Sequence, residues 1–150
     1  MNTLIIYTSV HHQNTEKVAK VMAEELEADL LPVGQAQSRT LAGYDLVGFG
    51  SGIYFMKHHK TLLQFVETLP AVIGRRAFIF STSGEGGIRK HAALREKLLY
   101  RGFTIVGEFS CKGWDTFGPM KLIGGINKGR PNAEDLEGAR VFARGLKDKV

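Results

Sequence analysis

The sequence predicts an α/β domain built on a doubly wound parallel sheet of five strands, in the order 2-1-3-4-5, with helices on both faces. Short apolar runs alternate with longer stretches in which apolar residues recur at helical spacing. No run reaches the roughly 18 residues that a bilayer-spanning helix needs. Five runs are typical of strands buried on both faces; they cover residues 3–8, 29–33, 44–50, 76–81 and 104–109.

Four stretches between and after these strands have the amphipathic pattern of helices. In the first, apolar Val18, Met22 and Leu26 share one face, with charged residues on the other. The last opens with Asn132 as a candidate N-cap, and acidic residues follow it in the first turn. The predicted helices cover residues 15–26, 58–69, 89–100 and 132–149.

Length and composition indicate one domain, which we expect to span residues 1–150. Apolar residues make up 43% and charged residues 23% of the chain, which is typical of globular proteins rather than disordered ones. The N-terminus enters an apolar run without a basic leader. Cys111 stands alone and can form no intramolecular disulfide. We therefore expect a cytoplasmic protein without membrane insertion.

The chain is basic, with 20 Lys and Arg residues against 15 Asp and Glu residues and a sequence pI of about 9.4. Such a balance favours acidic partners or polyanions through long-range attraction. The basic residues are scattered, and no zinc-finger or RNA-binding signature is present, so we do not expect nucleic-acid binding. Histidines occur in adjacent pairs that point in different directions, so we expect no metal site.

Doubly wound sheets bind ligands at the carboxyl ends of their strands, so we expect the ligand site there. The loop after the first strand is rich in hydroxyl and amide side chains, and it runs into a helix start that favours a phosphate. A simple N-cap at Asn14 or Thr15 explains the same residues. The glycine patterns of triphosphate and dinucleotide sites are missing, which favours a monophosphate. The candidate residues are Thr8, Ser9, Val10, His11, His12, Gln13, Asn14 and Thr15.

The segment after the third predicted strand combines glycine with flat or soft apolar side chains. Gly50 and Gly52 permit close backbone approach to a ligand, and Tyr54, Phe55 and Met56 offer a surface for an aromatic ring system. The alternative is that these three side chains belong to the helix-facing core. The candidate binding residues in this segment are Ser51, Gly52, Ile53, Tyr54 and Phe55.

The last two strands end in further candidates. The loop after the fourth strand is dense in glycine and hydroxyl groups, which can present main-chain donors and acceptors to a heterocycle or form a plain flexible turn. After the fifth strand, Trp114 comes to the same edge of the sheet. The candidate residues are Thr82, Ser83, Gly84, Glu85, Gly86 and Trp114.

Three of these segments, in this order, resemble the flavodoxin family, in particular its short-chain members, and the resemblance extends over essentially the whole chain. The residues that carry it are Ile5-Ile6-Tyr7-Thr8-Ser9 running to Asn14-Thr15, then Gly50-Ser51-Gly52-Ile53-Tyr54, and Phe80-Ser81-Thr82-Ser83-Gly84. The resemblance implies FMN, with its phosphate on the first loop, its ring stacked on the second and its ring edge against the third. Among the features that depart from the family, Gln13 stands where glycine is common, and the chain is basic rather than acidic.

The resemblance implies a low-potential electron-transfer carrier that docks to redox partner proteins, and the basic charge of the chain predicts an acidic docking face on the partner. The alternative is a flavin-dependent oxidoreductase of related fold, of the quinone reductase or menaquinone-dependent protoporphyrinogen oxidase type, in which residues 111–131 would form a substrate lid. We favour the carrier because the chain offers little beyond a flavin cradle.

Two other functions lack the residues that they need. A phosphate-receiving signalling domain requires acidic residues after strand one and at the end of strand three, where this chain has Thr8-Ser9 and Gly50. A nucleophilic role for Cys111 requires an activating base, and the sequence offers no obvious one. We therefore predict no catalytic residue.

Overall fold

The computed structural model describes residues 1–10, 12–114 and 122–150, and this part of the chain forms alternating strands and helices. The strands are β1 (Thr3–Thr8), β2 (Asp29–Pro32), β3 (Leu46–Tyr54), β4 (Lys57–His58), β5 (Arg76–Ser83) and β6 (Thr104–Lys112). The helices are α1 (Asn14–Leu26), α2 (Lys60–Glu67), α3 (Ala92–Tyr100) and α4 (Ala133–Leu146). Short 3₁₀ turns occupy Val33–Gln35, Ser38–Leu41, Arg89–His91 and Lys147–Lys149.

Five strands form a parallel sheet in the spatial order β2-β1-β3-β5-β6. The chain thus leaves the centre in one direction through β2 and in the other through β5 and β6, which confirms the predicted doubly wound sheet. The short strand β4 was not predicted, and it pairs antiparallel with the end of β3. The switch in direction lies between β1 and β3, where such sheets place their ligand crevice.

Helices cover both faces of the sheet. On one face, α1 and α4 pack through Met22 and Ala143 against the Phe78 and Phe80 side chains of β5. On the other, α2 and α3 bury their apolar stripes against Phe49 and its neighbours. The described helices include none with the length and apolar character that a bilayer crossing requires.

Two glycines of β3 make room for the rings on β5. A Cβ at Gly48 would lie 2.2 Å from the Phe78 ring, and one at Gly50 would lie 2.3 Å from the Phe80 ring. Both rings therefore lie across the backbone of the neighbouring strand. Gly50 serves core packing as well as standing in the predicted ligand segment.

The third strand is longer than predicted. It was expected to end at Gly50, but hydrogen-bonded pairing continues on both sides, to β1 as far as Ser51 and to β5 as far as Gly52. The chain then reverses through a two-residue turn at Phe55 and Met56. The glycine and serine residues at this point predicted a loop. Hydrogen bonding to β1 on one side and β5 on the other instead extends the strand.

The second helix starts later than predicted. We placed its start at His58, but His58 lies in β4, and His59 caps α2 by accepting a hydrogen bond from the Thr61 N–H through its ring nitrogen at 3.1 Å. The predicted cap at Asn132 is confirmed. Its side chain accepts from the Asp135 N–H, and the Asp135 carboxylate accepts from the Asn132 N–H, which together form a capping box.

Candidate functional site

A cleft opens at the carboxyl edge of the sheet, between the ends of β1, β3, β5 and β6. Its lining comes from all four chain segments that the sequence singled out, and every lining residue except Gly113 was a predicted candidate. The residues are Ser9, Val10, Asn14 and Thr15 from the first loop, Gly52, Ile53, Tyr54 and Phe55 from the hairpin, Thr82, Ser83 and Gly84 from the end of β5, and Gly113 and Trp114 after β6.

The first loop has a backbone shape that suits an anion. His12 and Gln13 both have positive φ, at 54° and 55°, and Asn14 then begins α1. A left-handed residue followed by a right-handed one turns successive N–H groups to the same side, and such nests bind anions. The helix dipole adds to this attraction. Gln13 therefore departs from the family's glycine in its side chain, while its backbone takes the conformation that glycine favours.

Neighbouring side chains brace this loop. The Glu16 N–H donates to the Ser9 hydroxyl at 3.2 Å, so Ser9 sits beside the first turn of α1. The Thr15 and Thr82 hydroxyls lie 2.8 Å apart in the interior, which links the first loop to the end of β5. Asn14 makes no cap bond for the helix, so the simple capping explanation of the loop fails for that residue. His11 lies outside the described residues.

Asn14 joins the first loop to the end of β6. Its side-chain amide donates to the backbone carbonyl of Trp114 at 2.9 Å. A Cβ at Gly113 would lie 2.7 Å from that amide nitrogen, so only glycine permits the approach. Because the nitrogen is engaged, the Oδ1 atom is the free end, and it is buried without a hydrogen-bond partner among the described residues. Sequence reasoning missed Gly113, although its place directly before Trp114 was a usable signal.

Trp114 is held by contacts on its ring. The His12 imidazole stacks on the indole with centroids 3.7 Å apart and planes at 17°, and the Lys128 ammonium lies 5.5 Å from the ring centroid. The indole N–H donates to the Gly124 carbonyl at 2.9 Å. The wall of the cleft at this point is therefore aromatic and close to a cation.

The hairpin supplies the second aromatic wall. Tyr54 lies across Gly52, where a Cβ would be 3.0 Å from the phenol oxygen, and its ring meets His59 edge-on at 5.1 Å. Phe55 and Met56 are 81% and 68% exposed. The alternative that Phe55 and Met56 belong to the core is therefore wrong. They form an apolar tip beside the cleft.

The remaining candidates lie outside the lining, and Thr8 and Ser51 support it from behind. The Thr8 hydroxyl is 3.0 Å from that of Thr61, and the buried Ser51 hydroxyl accepts from the His59 N–H at 2.9 Å. Glu85 pairs with a lysine on the surface, and the Gly86 N–H donates to a neighbouring hydroxyl. The structure thus brings most candidates around one cleft and places these four, with His12 and Gln13, outside its lining.

Two further chemistries find little support in the described part of the chain. Burial raises the pKa of the Cys111 thiol to about 12, so the thiolate needed for nucleophilic attack is scarce. The described residues include no group of three or more His, Cys, Asp or Glu side chains placed to hold a metal ion.

Comparison with known proteins identifies related chains. Residues 4–101 match the family model described as a flavodoxin domain. An uncharacterized protein of Methanocaldococcus jannaschii is 47% identical over 148 residues, which cover 97% of this chain and 98% of the relative. A flavodoxin of Streptococcus pneumoniae TIGR4 has a TM-score of 0.74 at 15% identity, with all of both chains covered. A flavodoxin from the domain Archaea has a TM-score of 0.69 at 16% identity, covering 99% and 98% of the two chains.

Proposed function

The chain belongs to the flavodoxin family, and from this premise we propose that it binds FMN in the cleft and acts in the cytoplasm as a low-potential electron-transfer carrier. A bound flavin supplies the redox chemistry, because it accepts and releases electrons. The residues of the chain bind, orient and shield it. The observation that carries the proposal is the convergence of an anion-binding helix start, two aromatic walls and a free buried acceptor on one cleft.

The phosphate would bind at the start of α1. The left-handed Gln13 followed by helical Asn14 is the conformation of an anion-binding nest, and the Ser9 and Thr15 side chains line the cleft beside it. In this proposal Thr8, His11, His12 and Gln13 shape the loop rather than line the ring pocket. In this proposal the loop holds one phosphate group, because it lacks the longer glycine patterns of triphosphate and dinucleotide sites.

The ring would bind between the hairpin and the end of β6. Tyr54 offers a flat face above Gly52, and Trp114 borders the cleft from the opposite segment. Thr82, Ser83 and Gly84 would present backbone groups to the ring edge. Because the Thr82 hydroxyl is bonded to Thr15, the ring and phosphate segments are held at a set separation.

The Asn14 Oδ1 atom fits the middle of FMN. A buried acceptor without a partner costs about 1–3 kcal/mol, which a ligand donor would recover. A carboxamide oxygen can only accept, so it suits a hydroxyl donor rather than a phosphate oxygen. FMN carries a chain of hydroxyl groups between its ring and its phosphate. The residues present therefore fit this group.

The surface around the cleft supports the carrier role. Phe55 and Met56 form the exposed apolar tip, and Lys57, Lys112 and Lys128 are exposed beside cleft residues. An apolar spot ringed by cations suits transient docking of a partner with an acidic face. We propose that electrons pass at this surface. Association with such a partner would then weaken as salt is added.

A flavin-dependent oxidoreductase is the second candidate. Exposed Leu122 and Ile123 directly precede Gly124, whose carbonyl accepts the indole N–H of Trp114. Apolar side chains at that position suit an apolar substrate such as a quinone. The proposed lid over residues 111–131 includes 115–121, which lie outside the described residues.

The test is a titration of the apoprotein with FMN, FAD and riboflavin, after the absorption spectrum of the purified protein has been recorded. We expect tight binding with a preference for FMN over riboflavin of about 100-fold, because losing the phosphate removes two or more charge-assisted hydrogen bonds. A chain that binds no flavin contradicts the proposal. Steady-state turnover of a quinone would favour the oxidoreductase over the carrier.

A further inference from the structure

A buried polar cluster lies beneath the cleft on the α2 and α3 side of the sheet. It consists of His58 on β4, Ser81 on β5, His91 in the turn before α3, and Glu108 and Ser110 on β6. His58 is 1% exposed and His91 is fully buried. Burying polar side chains costs more free energy of desolvation than burying apolar ones. The presence of this polar cluster therefore indicates a role beyond packing.

His91 bonds through both ring nitrogens. Its Nδ1 lies 2.9 Å from the Glu108 carboxylate, and its Nε2 lies 2.7 Å from the Ser81 hydroxyl. The carboxylate can only accept, so Nδ1 carries a proton and donates. The Ser81 hydroxyl can also donate to the Ser110 hydroxyl, 3.1 Å away. Arg95 fixes Glu108 through two hydrogen bonds, at 2.8 and 2.7 Å.

This geometry satisfies His91 in both of its charge states. When the ring is neutral, Nε2 accepts from the Ser81 hydroxyl. When the ring is charged, Nε2 donates to Ser81, and the Ser81 hydroxyl turns to donate to Ser110. Only one hydroxyl rotates between the two states, and no buried donor is left unpaired. A purely structural histidine does not need the second acceptor.

The charges around His91 come from three elements. Glu108 on β6 favours the charged ring, and Arg95 on α3 opposes it. His58 on β4 faces it with ring centroids 4.9 Å apart, and the Nε2 of His58 lies 3.0 Å from the Phe80 carbonyl. Burial is the largest effect and lowers the pKa of His91 despite its bond to Glu108. The His91 ring is therefore neutral before reduction, and its Nε2 atom can accept one proton.

The cluster adjoins the cleft through the sheet. Ser81 precedes the cleft residue Thr82 and pairs with Ser51, which precedes the cleft residue Gly52. His58 pairs with the cleft residue Ile53 in the hairpin. A charge placed in the cleft therefore acts on His91 through low-dielectric protein rather than through water.

We propose that His91, supported by Ser81, Ser110 and Glu108, takes up one proton when an electron enters the cleft. The inference rests on the proposed flavin function. His91 does not touch the ligand. It acts at a distance, because its added proton offsets the negative charge in the cleft.

The step balances in charge and atoms. In this proposal a reduced donor protein delivers one electron without a proton reaching the flavin itself, so that one negative charge is added to the cleft. Water supplies one proton to Ser110, which lies half-buried on the wall of an open groove. Ser81 passes its hydroxyl proton to Nε2 of His91 and regains one from Ser110, whose hydroxyl must turn toward Ser81 for this transfer. Only O–H and N–H bonds change in this transfer, and one electron with one proton leaves the net charge of the site unchanged.

Nuclear magnetic resonance of ¹⁵N-histidine-labelled, FMN-loaded protein tests the proposal. The His91 nitrogen shifts are followed from pH 5 to 9 in the oxidised protein and after anaerobic reduction with dithionite. We expect reduction to raise the proton affinity of His91 at least tenfold. By linkage the flavin potential depends on pH to the same extent, and tenfold corresponds to about 59 mV for one electron.

Two variants separate this role from folding. Ser110→Ala removes the acceptor for the rotated Ser81 hydroxyl at a half-buried position, and it should cut the reduction-linked change in proton affinity at least threefold. Ser38→Ala removes an exposed serine hydroxyl outside both the cluster and the cleft and should leave the change intact. If the His91 titration curves of the oxidised and reduced proteins are identical, the inference is overturned, although the proposed FMN binding is not. Protein that binds no flavin overturns the inference together with the proposed function.

Discussion

The side-chain amide of Asn14 donates a hydrogen bond of 2.9 Å to the backbone carbonyl of Trp114, 100 positions later in the chain. This bond ties the helix start that would hold a phosphate to the segment that carries an aromatic wall. It depends on Gly113, because any Cβ there would meet the amide. Two parts of the proposed binding site are thereby coupled through three residues.

Replacing Gly113 with alanine should weaken FMN binding about tenfold, or about 1.4 kcal/mol. The new Cβ would lie 2.7 Å from the Asn14 amide nitrogen, so Asn14 and Trp114 must separate. Isothermal titration of the apoprotein measures the change. Gly34→Ala is the matched control, because a Cβ there meets nothing within 4 Å. Equal affinities for the two variants would show that the bond does not shape the site.

Replacing Asn14 with aspartate should weaken FMN binding at least about tenfold more than riboflavin binding. The carboxylate cannot donate to the Trp114 carbonyl, and its charge faces the phosphate but not the uncharged riboflavin. The helix itself should not suffer, since an acidic residue at its start is favourable. Parallel titrations and a thermal melt give the comparison. An equal loss for both ligands would place the phosphate away from Asn14.

Replacing Met56 with glycine should stabilise the fold by about 0.5–1 kcal/mol. Met56 has a φ of 72° in the hairpin turn, which costs a non-glycine residue about 1–2 kcal/mol. Its side chain is mostly exposed, so little burial is lost. Met56→Ala keeps the Cβ and should leave stability nearly unchanged. Urea denaturation distinguishes the two, and equal midpoints would contradict the strain.

Replacing His58 with phenylalanine should flatten the loss of stability in mild acid. Burial lowers the pKa of His58 to about 3 in the folded state, whereas an unfolded histidine titrates near 6.5. The unfolded chain therefore binds the extra proton between these values. Stability is fully present above pH 6.5 and falls by about 1.4 kcal/mol per pH unit below it.

Urea denaturation of wild type and His58→Phe between pH 7.5 and 5 measures the difference. This window lies above the range in which paired carboxylates such as Glu25 and Asp135 titrate, because ion pairing with Arg144 and Arg130 lowers their pKa values. The gap between the two proteins should change steadily as the pH falls. Parallel curves would mean that His58 is not held neutral by the fold.

The fold was predictable because its signals are local. The run 3–8 and the pattern of Val18, Met22 and Leu26 depend only on neighbours in sequence, and both elements appear as expected. The ends of the strands and helices were harder to predict from the sequence. Gly50 and Gly52 have the composition of a loop, yet strands on both sides hold them in β3.

The candidate site was predictable in part for a related reason. Parallel strands align their carboxyl ends, so Ser9, Tyr54, Thr82 and Trp114 could be assigned to one edge without coordinates. Which of the candidate side chains line the cleft and which support it could not be predicted from the sequence. Thr8 and Ser51 share the composition of the lining residues, but their side chains turn away to Thr61 and to the His59 N–H.

The sequence by itself determined the α/β class and the edge at which the cleft opens, because periodicity and loop composition are properties of short segments, and its family resemblance implied the strand order. Only the tertiary structure decided that Asn14 reaches Trp114 across Gly113, and that His58, His91 and Glu108 meet in the interior. These contacts join residues far apart in the chain. Their existence depends on where the sheet places each backbone, and no local pattern encodes that position.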